Sequence, residues 1–106
     1  MEKVIRDGMV AVLYSPEYGA GWSTWTEDPE LQAKILFDAN IVNMVGRGAT
    51  QEELEVYCYE VYPDLYPGAV RDLTVAWLPI GTEFIVREYD GSEQIVLKDE
   101  ITWSVA

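Results

Sequence analysis

The 106-residue sequence predicts a single α+β domain with an early central strand, a helical insertion at about residues 28–62 and a C-terminal antiparallel β-meander. An unbroken apolar run at residues 9–14 predicts a strand that is covered on both faces. Helix-start signals and apolar residues at helical spacing fill residues 28–62. From residue 73 onward, apolar residues alternate as in strands. We therefore expect about five strands in one sheet or in a partly closed barrel.

Three start signals divide the helical insertion into three helices. Asp28 comes directly before a proline, which is typical of a cap followed by the first helical turn. Asp38 can cap a second helical segment. Thr50 and Glu53 have the spacing of a capping box, in which each side chain binds the other residue's backbone N–H.

The third helix has a predicted buried face and a predicted contact surface. Its buried face follows the i, i+3, i+4, i+7 spacing and consists of Leu54, Tyr57, Cys58 and Val61. Cys58 therefore belongs to the core pattern, and we predict a structural, unreactive thiol. Tyrosines outside this face either pack at the edge of the core or contact another protein. These predicted contact residues are Tyr59, Tyr62 and Tyr66.

The register of the C-terminal hairpin can be predicted from an Asp90–Gly91 type I′ turn. The resulting cross-strand pairs are Glu83–Lys98, Phe84–Leu97, Ile85–Val96 and Val86–Ile95. In these pairs apolar residues face apolar residues, and the one acidic residue faces a basic one. The same register opposes Glu88 to Glu93. We therefore expect a solvated acidic hairpin tip and a mildly stabilising effect of lysine at either position. The other alternating sets of the meander are Leu73, Val75 and Trp77, and then Ile101, Trp103 and Val105.

The formal net charge is −12, from 19 acidic and 7 basic residues. A surface this acidic repels phosphate backbones, so we predict no direct binding of DNA or RNA. It suits either solubility or docking on a basic partner. No apolar stretch is long enough to span a membrane, and we predict a cytosolic protein without membrane contact.

The chain has no histidine and a single cysteine. This composition excludes histidine-dependent catalytic sites, zinc sites with imidazole ligands and a disulfide within the chain. Carboxylate neighbours exist, but no motif marks a positioned general acid or base. We therefore predict no enzyme activity, no metal and no cofactor.

Residues 14–25 form the candidate ligand site. This stretch combines aromatic rings, two glycines and three hydroxyl side chains directly after the apolar strand. Glycine allows successive backbone N–H groups to form an anion-binding concavity, and aromatic faces stack on bases. An arginine would neutralise the phosphate of a nucleotide-like ligand. The predicted ligand-binding residues are Tyr18, Gly19, Gly21, Trp22, Ser23, Thr24, Arg47 and Arg71.

The alternative is that residues 14–25 form a plug that closes one end of the core. A ligand platform requires an indole face that is open to solvent, whereas a plug requires both indoles to be buried. We expect Trp22, next to the glycine turn, to be exposed and Trp25 to be buried against the first helix.

Four segments carry a resemblance to other proteins: Gly-Ala-Gly-Trp-Ser-Thr-Trp at residues 19–25, Leu-Phe-Asp at 36–38, Trp-Leu-Pro-Ile-Gly-Thr-Glu-Phe at 77–84 and Glu-Tyr-Asp-Gly at 88–91. They resemble a family of small uncharacterised proteins of bacterial viruses and prophages. The resemblance implies a setting, the cytosol of an infected bacterium. It also implies an accessory protein that binds and disables a component of host defence.

Two binding functions are consistent with these observations. In the leading hypothesis, a non-enzymatic protein sequesters a small nucleotide-like ligand, and a homo-oligomer brings several arginines together. In the alternative, an acidic inhibitor docks on a basic, nucleic-acid-binding surface of a host protein, with the tyrosines of the third helix as contacts.

Overall fold

The computed structural model describes residues 3–16, 22–63, 72–89 and 92–98 and confirms the α+β class. The elements in chain order are β1 (Ile5–Arg6), β2 (Met9–Tyr14), a short 3₁₀ helix (Ser23–Trp25), α1 (Pro29–Phe37), α2 (Ala39–Gly46), α3 (Gln51–Val61), β3 (Thr74–Pro79), β4 (Phe84–Tyr89) and β5 (Ser92–Leu97). The helices thus occupy the part of the chain that the capping signals predict.

Strand β2 is the central strand of a three-stranded antiparallel sheet with the order β1-β2-β3. In this sheet Arg6 pairs with Met9, and Ala11 pairs with Trp77. The middle of β2 is buried on both faces, because Val12 is inaccessible to solvent as well as its neighbours Ala11 and Leu13. The predicted central strand is therefore confirmed.

The prediction of a single sheet or barrel is wrong for the described part of the chain. Strand β3 pairs with β2 rather than with β4, and β4 and β5 form a separate two-stranded sheet. Alternation of apolar and polar residues identifies a strand but carries no information on its partner. The predicted closing strand at residues 101–105 lies outside the described residues.

The hairpin of β4 and β5 has the predicted register. Phe84 pairs with Leu97, Glu88 pairs with Glu93, and the intermediate pairs follow in step. Just beyond the strand ends, Glu83 and Lys98 form the predicted ion pair, with 2.6 Å between carboxylate oxygen and ammonium nitrogen. The turn residues Asp90 and Gly91 lie outside the described residues.

The predicted caps begin all three helices. Asp28 accepts a hydrogen bond from the N–H of Glu30 at 3.0 Å, and Asp38 accepts one from Ile41 at 2.9 Å. Thr50 and Glu53 form the reciprocal capping box, with both bonds at 3.1 Å. These side chains satisfy backbone donors that the first helical turn leaves without a partner.

The core lies between the helices and β2. Its buried apolar members include Ala11, Leu13, Trp22, Ile35, Ile41, Val42, Leu54, Cys58 and Leu73. The burial of Cys58 confirms its predicted place in the core. Val61 departs from the predicted buried face, because it lies at the end of α3 and is 46% exposed.

No helix within the described residues is long and apolar enough to cross a membrane.

Candidate functional site

A carboxylate from the C-terminal hairpin binds donors near both ends of the predicted ligand stretch. Glu93 is only 2% exposed. One of its oxygens accepts the N–H of Ser15 at 2.9 Å. The other accepts the N–H groups of Trp22 and Thr24, at 2.7 and 3.0 Å, and the Thr24 hydroxyl at 2.6 Å. The N–H of Glu93 donates in turn to the carbonyl of Ser15 at 2.8 Å.

This arrangement bears on two expectations. The N–H groups of Trp22 and Thr24, in the stretch that was predicted to hold a ligand anion, donate to the chain's own carboxylate, and those of Gly19 and Gly21 lie outside the described residues. The hairpin tip is not solvated at Glu93, so lysine at this position would place a cation against hydrogen-bond donors instead of relieving repulsion. A buried carboxylate needs several donors, and the loop provides them.

Trp22 is inaccessible to solvent, which makes the prediction of an exposed indole wrong. Its indole N–H donates to the carbonyl of Ile35 at 2.7 Å, near the end of α1, so both the ring and its polar atom are satisfied inside the core. Ser23 is also buried, and both the N–H and the hydroxyl of Thr24 donate hydrogen bonds to Glu93. The side chain of Trp25 lies outside what the structure describes. Four predicted site residues lie wholly outside the described ranges: Tyr18, Gly19, Gly21 and Arg71.

The predicted contact tyrosines have different environments. Tyr59 is 80% exposed, as a contact residue on a free surface would be. Tyr62 is half-buried, and its hydroxyl donates to Asp38. Burial, together with that hydrogen bond and the charge of Asp38, raises the pKa of Tyr62. Tyr66 lies outside the described residues.

A cleft that sequence reasoning did not predict lies between α2 and the three-stranded sheet. It has a volume of about 570 Å³ and is lined by Arg6, Val42, Asn43, Val45, Gly46, Arg47, Val75 and Trp77. Three elements therefore form its walls: the short strand β1, the C-terminal half of α2 and strand β3. Volumes of this size are typical of sites for small ligands.

One wall of the cleft is a stacked pair of an arginine and a tryptophan. The guanidinium carbon of Arg6 lies 5.5 Å from the ring centroid of Trp77, and a guanidinium nitrogen lies 3.5 Å from the side-chain oxygen of Asn43. Trp77 is 36% exposed. Its indole therefore keeps accessible area in the cleft beside a cation, an arrangement known to be favourable.

The other cation of the cleft is Arg47, which was predicted as a ligand residue. It is the C-cap of α2, and its N–H donates to the carbonyl of Asn43 at 3.1 Å. A cation suits this helix end because of the helix dipole, so part of its placement has a structural reason. The next residue, Gly48, has a φ of +79°, and the backbone there turns away from the helix.

Arg47 thus lies with Arg6 and Trp77 rather than with the aromatic loop. Two of the chain's 7 basic residues line one cleft of a strongly acidic protein. The nearby Glu53 has a pKa below its usual range, chiefly because of the hydrogen bonds that it makes to the backbone and side chain of Thr50, with a smaller contribution from the charge of Arg47.

Arg6, Asn43 and Trp77 are the members of the cleft that sequence reasoning missed. Trp77 was predicted only as a member of an alternating strand set with Leu73 and Val75, and nothing local marks Arg6 or Asn43 as partners. The pairing of β1 and β3 on either side of β2 brings Arg6 and Trp77 together.

The chemistry available in the cleft is that of binding. It offers two guanidinium groups, one indole face and one side-chain amide, a set that matches a planar, anionic, hydrogen-bonding molecule. Within the described ranges, histidine, cysteine, aspartate and glutamate side chains form no group of three that could hold a metal ion.

Comparisons with protein-family models, with curated proteins and with solved structures found no match to this chain.

Proposed function

We propose that the protein is a non-enzymatic accessory protein that sequesters a small nucleotide-like ligand in the cleft between Arg6, Arg47 and Trp77. The observation that carries this proposal is the guanidinium of Arg6 stacked on a partly exposed indole in a cleft that a second arginine also lines. This cleft is a different site from the one predicted in residues 14–25, where the N–H groups of Ser15, Trp22 and Thr24 donate to Glu93.

The side chains of the cleft match the parts of a nucleotide. The indole of Trp77 provides a stacking surface, which is worth roughly 1–3 kcal/mol per base. Guanidinium groups match phosphate oxygens with parallel hydrogen bonds. The amide of Asn43 can both donate and accept, as is required at the edge of a base.

The acidic surface works against an anionic ligand. With a net charge of −12, the field of the whole protein repels phosphate, and the two arginines must overcome it locally. A symmetric homo-oligomer would bring further copies of these arginines together and would ease this cost. The resemblance to proteins of bacterial viruses supports a ligand from the infected host, such as a signal of host defence.

Native mass spectrometry of the protein purified from a bacterial host tests the proposal directly, because it reports subunit number and any bound small molecule. We expect a bound species that absorbs as a nucleotide after release by denaturation. Calorimetric titration with mono- and dinucleotides, and with the matching nucleosides as phosphate-free probes, then defines the ligand class.

Matched variants locate the site. Arg47→Ala and Trp77→Leu should each weaken nucleotide binding by at least about tenfold, the effect of losing one stacked base or one charged contact. Arg87→Ala removes the same charge from an exposed position on β4, outside the cleft, and should leave binding nearly unchanged. Equal losses in Arg47→Ala and Arg87→Ala, or no nucleotide bound by the wild type, would contradict the proposal.

A further inference from the structure

Exposed apolar side chains are concentrated on α3. Of the seven large hydrophobic residues that are exposed in the described ranges, three lie on this helix: Val56 at 54%, Tyr59 at 80% and Val61 at 46%. Val56 and Tyr59 lie on the face opposite to the buried residues Leu54 and Cys58, whereas Val61 lies at the helix end on the side of those buried residues. Single exposed apolar residues are common, but a group of them on one helix marks an interaction surface.

A shallow groove runs beside these residues, between the end of α2 and α3. It has a volume of about 440 Å³. Apolar and aromatic side chains of Met44, Val56 and Tyr57 line it together with the polar residues Thr50, Glu52, Glu53 and Glu60. A lining that combines apolar and acidic side chains matches an apolar side chain flanked by cations.

The three glutamates of the groove differ in whether they form hydrogen bonds within the protein. Glu53 is used by the capping box with Thr50. Glu52 and Glu60 are exposed. Glu60 lies in the last turn of α3, where the helix dipole disfavours a negative charge, and this turn contains no basic residue that would offset it. A cation from another protein would offset the negative charge of Glu60.

We propose that the face of α3 formed by Glu52, Val56, Tyr59 and Glu60 docks a basic amphipathic segment of another protein. Val56 and Tyr59 supply the apolar contact, since tyrosine is favoured at the centre of interfaces. The glutamates pair with lysine or arginine on either side, and the net charge of −12 steers such a partner toward the protein. This surface shares no residue with the Arg6–Arg47–Trp77 cleft, so it is independent of the proposed ligand binding.

Fluorescence anisotropy with a labelled amphipathic leucine–lysine peptide tests this surface at about 0.15 M salt, where distant charges are screened. A peptide with glutamine in place of lysine is the neutral probe and should bind far more weakly. The double variant Glu52→Gln/Glu60→Gln should weaken binding of the basic peptide by about tenfold. The control Glu27→Gln/Glu30→Gln removes the same charge from exposed positions near the start of α1 and should change binding little.

A second pair of variants tests the apolar part of the surface. Tyr59→Ala should also weaken binding by about tenfold, whereas Ile80→Ala, at another exposed apolar residue, should not. Because Tyr59 is so exposed, this variant should fold and melt like the wild type, which keeps the test valid even if the double glutamate variant is unstable. Arg47→Ala should leave peptide binding intact.

Three results would overturn the proposal: no binding of the basic peptide by the wild type, equal losses in the α3 variants and their controls, or equal binding of the basic and neutral peptides. Equal losses would show attraction by net charge alone. None of these results bears on nucleotide binding in the cleft, so the two proposals fail separately.

Discussion

The carboxylate of Glu93 joins the C-terminal hairpin to the segment that follows β2, across 69 to 78 positions of sequence. Removing a charge from water is costly unless donors replace the water. Here three backbone N–H groups and one hydroxyl do so, and three of these four donors belong to Trp22 and Thr24. Glu93 therefore ties Ser15 and residues 22–24 to the hairpin, and with them the buried indole of Trp22.

Replacing this carboxylate by an amide should destabilise the protein strongly. In Glu93→Gln, the amide NH₂ would face backbone donors that now point at an oxygen. We expect a loss of about 1.5–3 kcal/mol in the free energy of unfolding, the usual worth of hydrogen bonds to a charged group. Urea denaturation measures it.

The control is Glu27→Gln, the same substitution at an exposed residue. It should change the free energy of unfolding by less than about 0.5 kcal/mol. Comparable losses in the two variants would show that the donors around Glu93 contribute nothing specific.

At the scale of elements, Asp38 connects all three helices. It ends α1, caps α2 through the N–H of Ile41 and accepts hydrogen bonds from the hydroxyls of Tyr57, within α3, and Tyr62, the C-cap of α3. The Tyr57 hydroxyl also accepts from Asn40 at 3.1 Å. One carboxylate thus fixes the packing of α3, which carries the proposed docking surface.

This cluster should make the protein sensitive to alkaline pH. Burial raises the pKa of the Cys58 thiol from 9.0 to about 12. Burial also raises the pKa values of Tyr57 and Tyr62 above their ordinary value of 10.0, and Asp38 adds to both shifts. The folded state keeps these protons longer than the unfolded state does. Stability is therefore fully present below about pH 9 and declines as the pH rises toward the folded-state values.

Melting temperatures between about pH 8 and about pH 11 would measure this decline. The variants Cys58→Ala and Tyr62→Phe should each flatten it, because each removes a group whose pKa differs between folded and unfolded states. Tyr59→Phe, which changes an exposed hydroxyl on the same helix, should keep the wild-type slope. A wild-type profile that stays flat over this range would refute the linkage.

At the scale of the whole molecule, the dominant property is the net charge of −12. Acidic residues repel one another more strongly in the compact state than in the unfolded chain. The ion pair between Glu83 and Lys98 is exposed and adds little. This repulsion therefore lowers the free energy of unfolding, and burial of the core around β2 must offset it.

Added salt should consequently stabilise the protein. We expect the melting temperature to rise between about 0.01 M and 0.5 M sodium chloride, since the Debye length falls from about 30 Å to well under 10 Å. Glu27→Lys/Glu30→Lys reduces the net negative charge at two exposed positions and should reduce this rise. A melting temperature that falls with salt would show that attractive pairs outweigh repulsion.

Local patterns in the sequence determined the elements of this protein. Helix starts at Asp28, Asp38 and Thr50, the hairpin register and the burial of Cys58 all depend on neighbours within a few residues or across one tight turn. Spacings of two and of three to four residues encode such contacts directly. The unbroken apolar run at residues 9–14 likewise predicted that β2 is covered on both faces.

Only the tertiary structure decided how these elements meet. The pairing of β2 with β3, the burial of Glu93 and the meeting of Arg6 with Trp77 each join residues at least sixty positions apart. From sequence alone, a charged residue such as Glu93 is predicted to be solvated, and a tryptophan next to a glycine, such as Trp22, is predicted to be exposed. Both predictions change once the distant partner is known. No spacing encodes such a partner, because the free energy of burying a charge or an indole depends on donors and acceptors that the fold alone brings together.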